Sequence, residues 1–341
     1  MVELESVKDE SPLSRSLQTE HYNGAVAVVT ADKELAADSQ GFAHIDMKVP
    51  FASHTLSGAG TVTQQFFGVL LMQFVEKGAL KLTDKLSQYV PEYKQADKIT
   101  IGQLATMQSG IPDYLTLMAE PFKANAPATL PGERLALQIN QHNAADMDLA
   151  KVLDVVDDQP LAFKPGSQTA YSATNAILLG EVLDRLTEER TLEAILKESI
   201  YDPLALTHTK IGTSHAFAES YHWIAGNPNL AGKGDENQAD RGLVTTVDDL
   251  EKFAQAVLKG KLLKAGSWET IFKAAEGGYG FGWHKLADGW LGNSGSVLGY
   301  TGLLSINRKQ KKAAVALTNV LKPQADMTEF VDKIQRAAQE L

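Results

Sequence analysis

The chain has no cysteine in its 341 residues. Disulfide staples and thiolate metal ligands are therefore excluded, and an oxidising or a reducing compartment suits it equally. It also lacks an uninterrupted apolar run of about 18 residues, the length a membrane helix needs. The best candidate, Phe66 to Val75, is short and broken by Gln73, so no integral membrane segment is expected. Basic blocks with interleaved aromatics are missing as well. The formal net charge of −10 and pI near 5.3 repel phosphate backbones and argue against a nucleic-acid partner. The opening MVELESVKDESPLSR has neither the basic nor the apolar region of a signal peptide. Localisation stays open: cytoplasmic as it stands, periplasmic or secreted if a leader has been removed. The eight histidines show no His-Glu-x-x-His or related spacing, so neither a metal nor another cofactor is expected.

What remains is an ordinary globular composition, 44% hydrophobic and 22% charged, in a chain long enough for two cooperating lobes. After an amphipathic first helix, GAVAVVTADKELAADSQGFAHID reads as two strands about a turn at Ala31-Asp32-Lys33, with alternation in Ala25, Ala27 and Val29. From about residue 61 to 200 the apolar period is helical. Strands return in GYGFGWHKL and in GYTGLLSINRKQKKAAVALTN, where Arg308 to Lys311 turns one run back on another before a final helix from about Met327. The first and last segments are expected to share one sheet. Residues 225–240, AGNPNLAGKGDENQAD, are rich in Gly, Asn and Asp and read as a long surface loop.

SGAGTVTQQFFGVLLMQFVEKG places glycines directly before a helix with no polar face from Phe66 to Val75. Such a helix belongs inside the protein, and so does its N-terminus. Buried helix starts carry unpaired N–H groups and partial positive charge, which suits a nucleophile or an anion. The quartet Thr61-Val62-Thr63-Gln64 stands at that start.

Six ordered segments then resemble the serine β-lactamase and penicillin-binding-protein-like superfamily, in particular its class C β-lactamase and esterase branch. HTLSGAGTVTQQFF lies where that family opens its Ser-x-x-Lys helix, and the spacing to FVEKGALKLTDKLSQYVPEY sets the register. ITIGQLATMQSGIPDY is similar to the segment ending Ser-Gly-Leu/Ile-Pro, FKPGSQTAYSATNAILLGEVLDRLT to the stretch with Tyr-x-Asn, and YDPLALTHT to Pro-Leu-Gly-Met-x-x-Thr. RGLVTTVDDLEKF resembles Gly-Leu-x-Ser-Thr-x-x-Asp-Leu, and WLGNSGSVLGYTGLLSIN the strand with His-x-Gly or Lys-x-Gly. The resemblance implies an α/β fold of the α+β type, β-lactamase/transpeptidase-like, with an antiparallel sheet flanked by helices and an inserted helical lobe. It puts a sheet-containing lobe at 1–55 and 205–341, a helical lobe at 56–204, and a cleft between them.

Family chemistry is acyl transfer through a serine ester, with a lysine one helical turn later and a tyrosine sharing proton traffic. By register, Thr61 stands at the serine position and Gln64 at the lysine position. Tyr171 is retained, Ala173 replaces the asparagine of Tyr-x-Asn, and Asn293 replaces the histidine or lysine ahead of Ser294 and Gly295. The family's catalytic positions are thus Thr61, Gln64 and Tyr171, impaired. Ala173, Asn293, Ser294, Gly295, Asp113 and Tyr114 are the positions expected to face a ligand, the last two from the cleft rim. Without the lysine, Tyr171 should keep a pKa near 10, leaving about one phenolate in a thousand at neutral pH.

Plainer assignments exist for each of these residues. Thr61 and Gln64 can satisfy first-turn donors, Tyr171 can be a packed tyrosine bonded to backbone, and Asn293-Ser294-Gly295 can be a tight strand entry. Two functions compete. One is a pseudoenzyme holding a small acyl, ester or peptide-like ligand, with no protein partner indicated. The other is an enzyme with rewired chemistry, such as acyl transfer, isomerisation or cyclisation, or a weak esterase using Thr61 and Tyr171. General-base assistance supplies about 10² to 10⁴ in rate, and a nucleophile and its base act as a unit. Nitrocefin should therefore not be turned over above background, and Thr61→Ala should leave that baseline unchanged in an absorbance assay.

Overall fold

Apolar alternation on both faces makes a strand that must be covered on both sides. In the first strand Ala25, Ala27 and Val29 face one core and Val26 and Val28 the other, all fully buried or nearly so. That explains why the strand reads as a continuous apolar run. The computed structural model describes residues 11–17, 22–144, 148–187, 190–234, 239–322 and 324–341.

The chain enters through α1 (Pro12–Leu17), the hairpin β1 (Gly24–Thr30) and β2 (Glu34–Gln40), a small hairpin β3 (Phe42–His44) and β4 (Val49–Pro50), and β5 (Ser57–Gly58). Helices follow: α2 (Thr63–Glu76), α3 (Ile101–Ala105), α4 (Tyr114–Asn125), α5 (Gly132–Asn143), α6 (Leu149–Val156), α7 (Ala173–Arg185), α8 (Leu192–Leu196) and α9 (Asp202–Leu204). Next come β6 (Lys210–Ile211), β7 (Tyr221–Ile224), β8 (Asn227–Leu230), β9 (Leu243–Thr245), α10 (Val247–Leu258) and α11 (Ala265–Glu276). The chain closes with β10 (Tyr279–Gly280), β11 (Trp283–Lys285), β12 (Leu291–Val297), β13 (Tyr300–Asn307), β14 (Lys312–Thr318), β15 (Val320–Leu321) and α12 (Gln324–Glu340).

Seven strands form one antiparallel sheet in the order β10-β11-β12-β13-β14-β1-β2, so the two ends of the chain meet in it as expected. The turns at 31–33 and 308–311 fall where the sequence puts them. One sheet face is covered by α1 and α12, whose Met327, Phe330, Val331, Ile334, Ala337 and Ala338 recur at helical spacing over Val26, Val28 and Ala316. The other face packs on α10 and, through it, on α2, where Phe66 stacks on Phe253 with ring centroids 4.0 Å apart. The result is a mixed α/β architecture with antiparallel sheets flanked by helices. Helix α2 is buried without interruption from Thr63 to Met72. Each fully buried Phe or Leu in it contributes about 1.5–3 kcal/mol relative to exposure.

Two local expectations need correction. The last helix begins at Gln324, three residues before Met327. The expected first helix is seen as α1. The stretch 225–240 is not a surface loop throughout. Asn227–Leu230 pairs with β7, whose backbone groups capture a turn-like composition, and Asp240 at its end is 1% exposed. Residues 235–238 lie outside the described residues.

Partly buried Glu251 on α10 shows how the acidic balance reaches stability. Burial first, then the carboxylates of Glu34 and Asp248 against an opposing Lys252, push its carboxyl up to about 7. A carboxyl raised in the fold lends stability below its unfolded pKa, and that contribution is lost as pH climbs through 7. Glu251→Gln should thus raise the melting midpoint by roughly 1–3 °C at about pH 8.5. The advantage should vanish near pH 4.5, the usual carboxyl value, in thermal unfolding scans across that range.

Candidate functional site

The site begins where the start of α2 is pressed against β12. A 3₁₀ turn, Gly60–Val62, leads into the helix, with Gly60 in the left-handed region at φ 53°. A Cβ on Gly60 would stand 2.1 Å from Gly295 O, and one on Gly295 would stand 2.2 Å from Thr61 Oγ1. Both glycines are therefore required by contact. Beyond Gly292, β12 pairs with β13 alone, so the strand edge at Asn293–Val297 is left open beside the helix start.

Asn293 is 4% exposed and saturates this junction. Its Nδ2 donates to Thr61 O at 3.1 Å and to Gly282 O at 2.9 Å. Carbonyl oxygens only accept, so the amide orientation is forced and Oδ1 faces the Thr61 hydroxyl, which donates to it at 2.9 Å. One turn later Gln64, also 4% exposed, is held the same way. Its Nε2 donates to Asp240 O at 3.0 Å and to the Tyr171 hydroxyl at 2.8 Å, while Oε1 accepts from Tyr279.

Thr61, Gln64, Tyr171 and Asn293 thus converge, linked in pairs by these bonds. As a residue Tyr171 is 51% exposed, but its hydroxyl end points inward at the buried amide. Burial of that end is the largest influence on its acidity and pushes the phenol above its ordinary value. The charges of Asp240 and Asp113 add to this, while the Gln64 bond and Arg241 oppose it. The expected pKa near 10 is too low, because burial of the hydroxyl end penalises the charged phenolate, with the Asp240 and Asp113 carboxylates adding to it.

Ser294 and Gly295 lie half-buried on β12 next to Asn293. Asp113 caps α4 through Thr116 N at 3.0 Å and accepts the Ala173 N–H at 2.8 Å. Ala173 is only 1% exposed and belongs to the large core cluster, so its side chain offers almost no surface. Tyr114 is not at the rim. It is fully buried, receives Arg241 Nη2 at 2.9 Å and donates to Asp240 Oδ2 at 3.1 Å.

Sequence reasoning missed Tyr279, Asp240 and Arg241. Tyr279 was visible only as a strand residue of GYGFGWHKL; its ring meets Tyr171 edge to face at 6.1 Å. Asp240 ended an apparent loop and Arg241 opened the RGLVTTVDDLEKF segment, and nothing local marked either as buried. The Asp240 Oδ1 has no hydrogen-bond partner among the described residues, and burial raises that carboxyl's pKa. Among the described residues no cluster of three or more His, Cys, Asp or Glu is arranged to hold a metal.

Chemically, the site has hydroxyls but, among the described residues, no cation bonded to Thr61 and no base poised on it. Thr61 spends its hydrogen on Asn293 and keeps lone pairs to accept with. Tyr171 accepts from Gln64 and keeps its O–H to donate with.

A sequence profile described as Beta-lactamase matches residues 13–339. Protein flp of Staphylococcus aureus is 26% identical over 329 residues, covering 90% of this chain and 62% of the relative, so the chain spans about three fifths of that protein. A penicillin-binding protein from Bacillus halodurans shares the fold with TM-score 0.77 at 18% identity, over 95% of this chain and 99% of that one. D-amino acid amidase from Ochrobactrum anthropi, solved with L-phenylalanine amide, does so with TM-score 0.74 at 19% identity, over 96% and 97%.

The helix–strand contact yields a direct test. In Gly295→Ala the new methyl must displace Thr61 Oγ1, at a cost of about 1–3 kcal/mol in urea denaturation. Gly266→Ala, on α11 with open space around it, should stay within about 0.5 kcal/mol of wild type.

Proposed function

The chain belongs to the β-lactamase family, and from that premise we propose that its cleft holds an acyl, ester or peptide-like ligand through neutral hydrogen bonds without completing the acyl-enzyme reaction. The observation that carries this reading is the fixed polarity of the two cleft hydroxyls. Asn293 and Gln64 are each oriented by main-chain carbonyls, and they leave Thr61 as an acceptor and Tyr171 as a donor. A carbonyl meets the Tyr171 O–H, and an N–H meets Thr61. An amide supplies both, which accords with the phenylalanine amide in the amidase neighbour.

Proton transfer lacks support. A nucleophilic hydroxyl needs an acceptor for its proton, and the Thr61 hydrogen lies on a neutral amide oxygen. Burial raises the pKa of Tyr171 and of Tyr279, which keeps both phenols protonated at neutral pH. The rewired-enzyme reading draws on Asp240, a buried carboxyl of raised pKa whose charge reaches Tyr171. It is separable by mass spectrometry after incubation with a fluorophosphonate, penicillin and activated esters. We expect no adduct on the wild-type chain, together with calorimetric binding of amino-acid amides. An adduct on Thr61 or Tyr171 with turnover would favour the rewired enzyme.

The arrangement around Gln64 also predicts repair. Its three partners, Tyr171 OH, Asp240 O and Tyr279 OH, are oxygens that can each accept from an ammonium. Thr61→Ser with Gln64→Lys should therefore restore fluorophosphonate labelling at position 61 and slow p-nitrophenyl ester hydrolysis. Thr61→Ser alone should restore neither. Ala173→Asn adds nothing here, since it forces a polar side chain into a packed position.

A further inference from the structure

A second concavity shares no lining residue with the cleft. It is a hollow of about 400 Å³, a volume usual for small-ligand sites, walled by Tyr22, Phe42, Ile45, Trp223, Pro228 and Val320. One wall is locked by its own backbone. Asn23 spends its side-chain amide on the Phe42 main chain, Oδ1 accepting from Phe42 N at 3.1 Å and Nδ2 donating to Phe42 O at 3.0 Å. Asn319 Nδ2 donates to the same carbonyl at 3.2 Å. Gly41, just before, lies at φ 76°, and a Cβ on it would stand 1.5 Å from Asn23 Oδ1. The Phe42 ring nevertheless stays 37% exposed. An exposed aromatic on so firmly bonded a backbone is arranged for a ligand in advance, which lowers the ordering cost of binding. The other wall is the β7–β8 hairpin, where half-buried Trp223 lies opposite Pro228.

Beside the hollow, and sharing Tyr22, Asn23 and Val320 with it, is a recess of about 10 Å³ lined by Thr318, Lys322, Met327 and Phe330. That is space for one oxygen-sized group. Thr318 is 3% exposed, and among the described residues its Oγ1 has no hydrogen-bond partner. Strand pairing explains why. Its cross-strand neighbours are Gly24, which has no side chain, and Thr301, whose Oγ1 is bonded to Ser296 Oγ at 2.7 Å. Ser296 alternates with Gly295, so this row of hydroxyls lies on the sheet face opposite to the one that meets Thr61. Lys322 likewise has no carboxylate partner among the described residues. Its Nζ stands over the Trp223 ring, 5.8 Å from the centroid.

We propose that this concavity binds an arylalkyl carboxylate, with the carboxylate at Thr318 and Lys322 and the apolar body among Tyr22, Phe42 and Trp223. A planar carboxylate can set one oxygen in the recess to accept the Thr318 O–H and present the other to the Lys322 ammonium, a charge-assisted bond. Both groups are otherwise left unpaired in a chain whose net charge is −10. Tyr22 supplies its ring alone, since its hydroxyl donates to Asp38 Oδ2 at 3.0 Å. A cationic head is repelled by Lys322, and an alcohol meets the hydroxyl without the charge. The preference is thus for an anion, whereas the cleft reading above concerns a neutral amide.

Trp223 supplies the readout. Of the four tryptophans the other three, Trp268, Trp283 and Trp290, are at most 4% exposed, so a ligand in the hollow changes the emission of Trp223. The full chain is titrated with phenylbutyrate, phenylbutanol and phenylbutylamine, which share one body and differ in the head. The carboxylate should give a saturable change with a midpoint about fivefold or more below that of the alcohol, and the amine should bind weakest. Lys322→Met keeps the apolar stem and should raise the carboxylate midpoint to that of the alcohol. Thr318→Val should weaken the carboxylate about threefold or more, yet leave the free chain at least as thermally stable, because it removes an unsatisfied buried hydroxyl. Those opposite signs separate a lost ligand contact from a damaged fold. Equal midpoints for the three heads, an unchanged carboxylate midpoint in either variant, or no saturable change up to about 10 mM would each overturn the site. The emission change is local to the hollow, so its outcome is independent of whether the cleft holds an amide.

Discussion

The start of a buried helix pressed onto the open edge of β12 is the contact on which the rest of the site depends. Two glycines make it: with Gly60 in the left-handed region and Gly295 bare, the backbones approach until Thr61 lies against the strand. That approach puts Asn293 within reach of both the Thr61 carbonyl and its hydroxyl, and it places Gln64 one turn deeper. The apolar length of α2 holds the contact in place. Buried from Thr63 to Met72, the helix cannot retreat without exposing its aromatic and aliphatic side chains.

Given that contact, hydrogen-bond accounting decides the character of the cleft. Main-chain carbonyls of Thr61, Gly282 and Asp240 orient two side-chain amides, and the amides in turn assign donor and acceptor roles to two hydroxyls. No member of the chain of bonds carries a charge at the nucleophile position. The charges lie one layer further out, in Asp240, Arg241 and Asp113, where they tune Tyr171 and anchor Tyr114. A neutral inner layer of amides and hydroxyls is thus backed by a charged outer one.

The same outer layer ties the cleft to the periphery. Arg241 reaches Asn143 at the end of α5, and Asp113 links the first turn of α4 to that of α7. The α4–α5 segment is therefore joined by hydrogen bonds to the residues around Gln64 and Tyr171.

Much of this was legible in the residues themselves. Strand alternation, the turns at 31–33 and 308–311 and the all-apolar face of α2 are local properties, so they survive folding unchanged. Motif order carried the register that pairs Thr61 with Asn293 and Gln64 with Tyr171. Composition misled at 225–240, because pairing with β7 is a long-range bond that no window of sequence displays. Tyr114 failed as a rim residue for the same reason, since its partners Asp240 and Arg241 lie more than a hundred residues away. By itself, then, the sequence determined most of the strands and helices and the family. Tertiary structure alone decided which hydroxyl donates and which accepts, because that depends on carbonyls brought from distant segments to face Asn293 and Gln64.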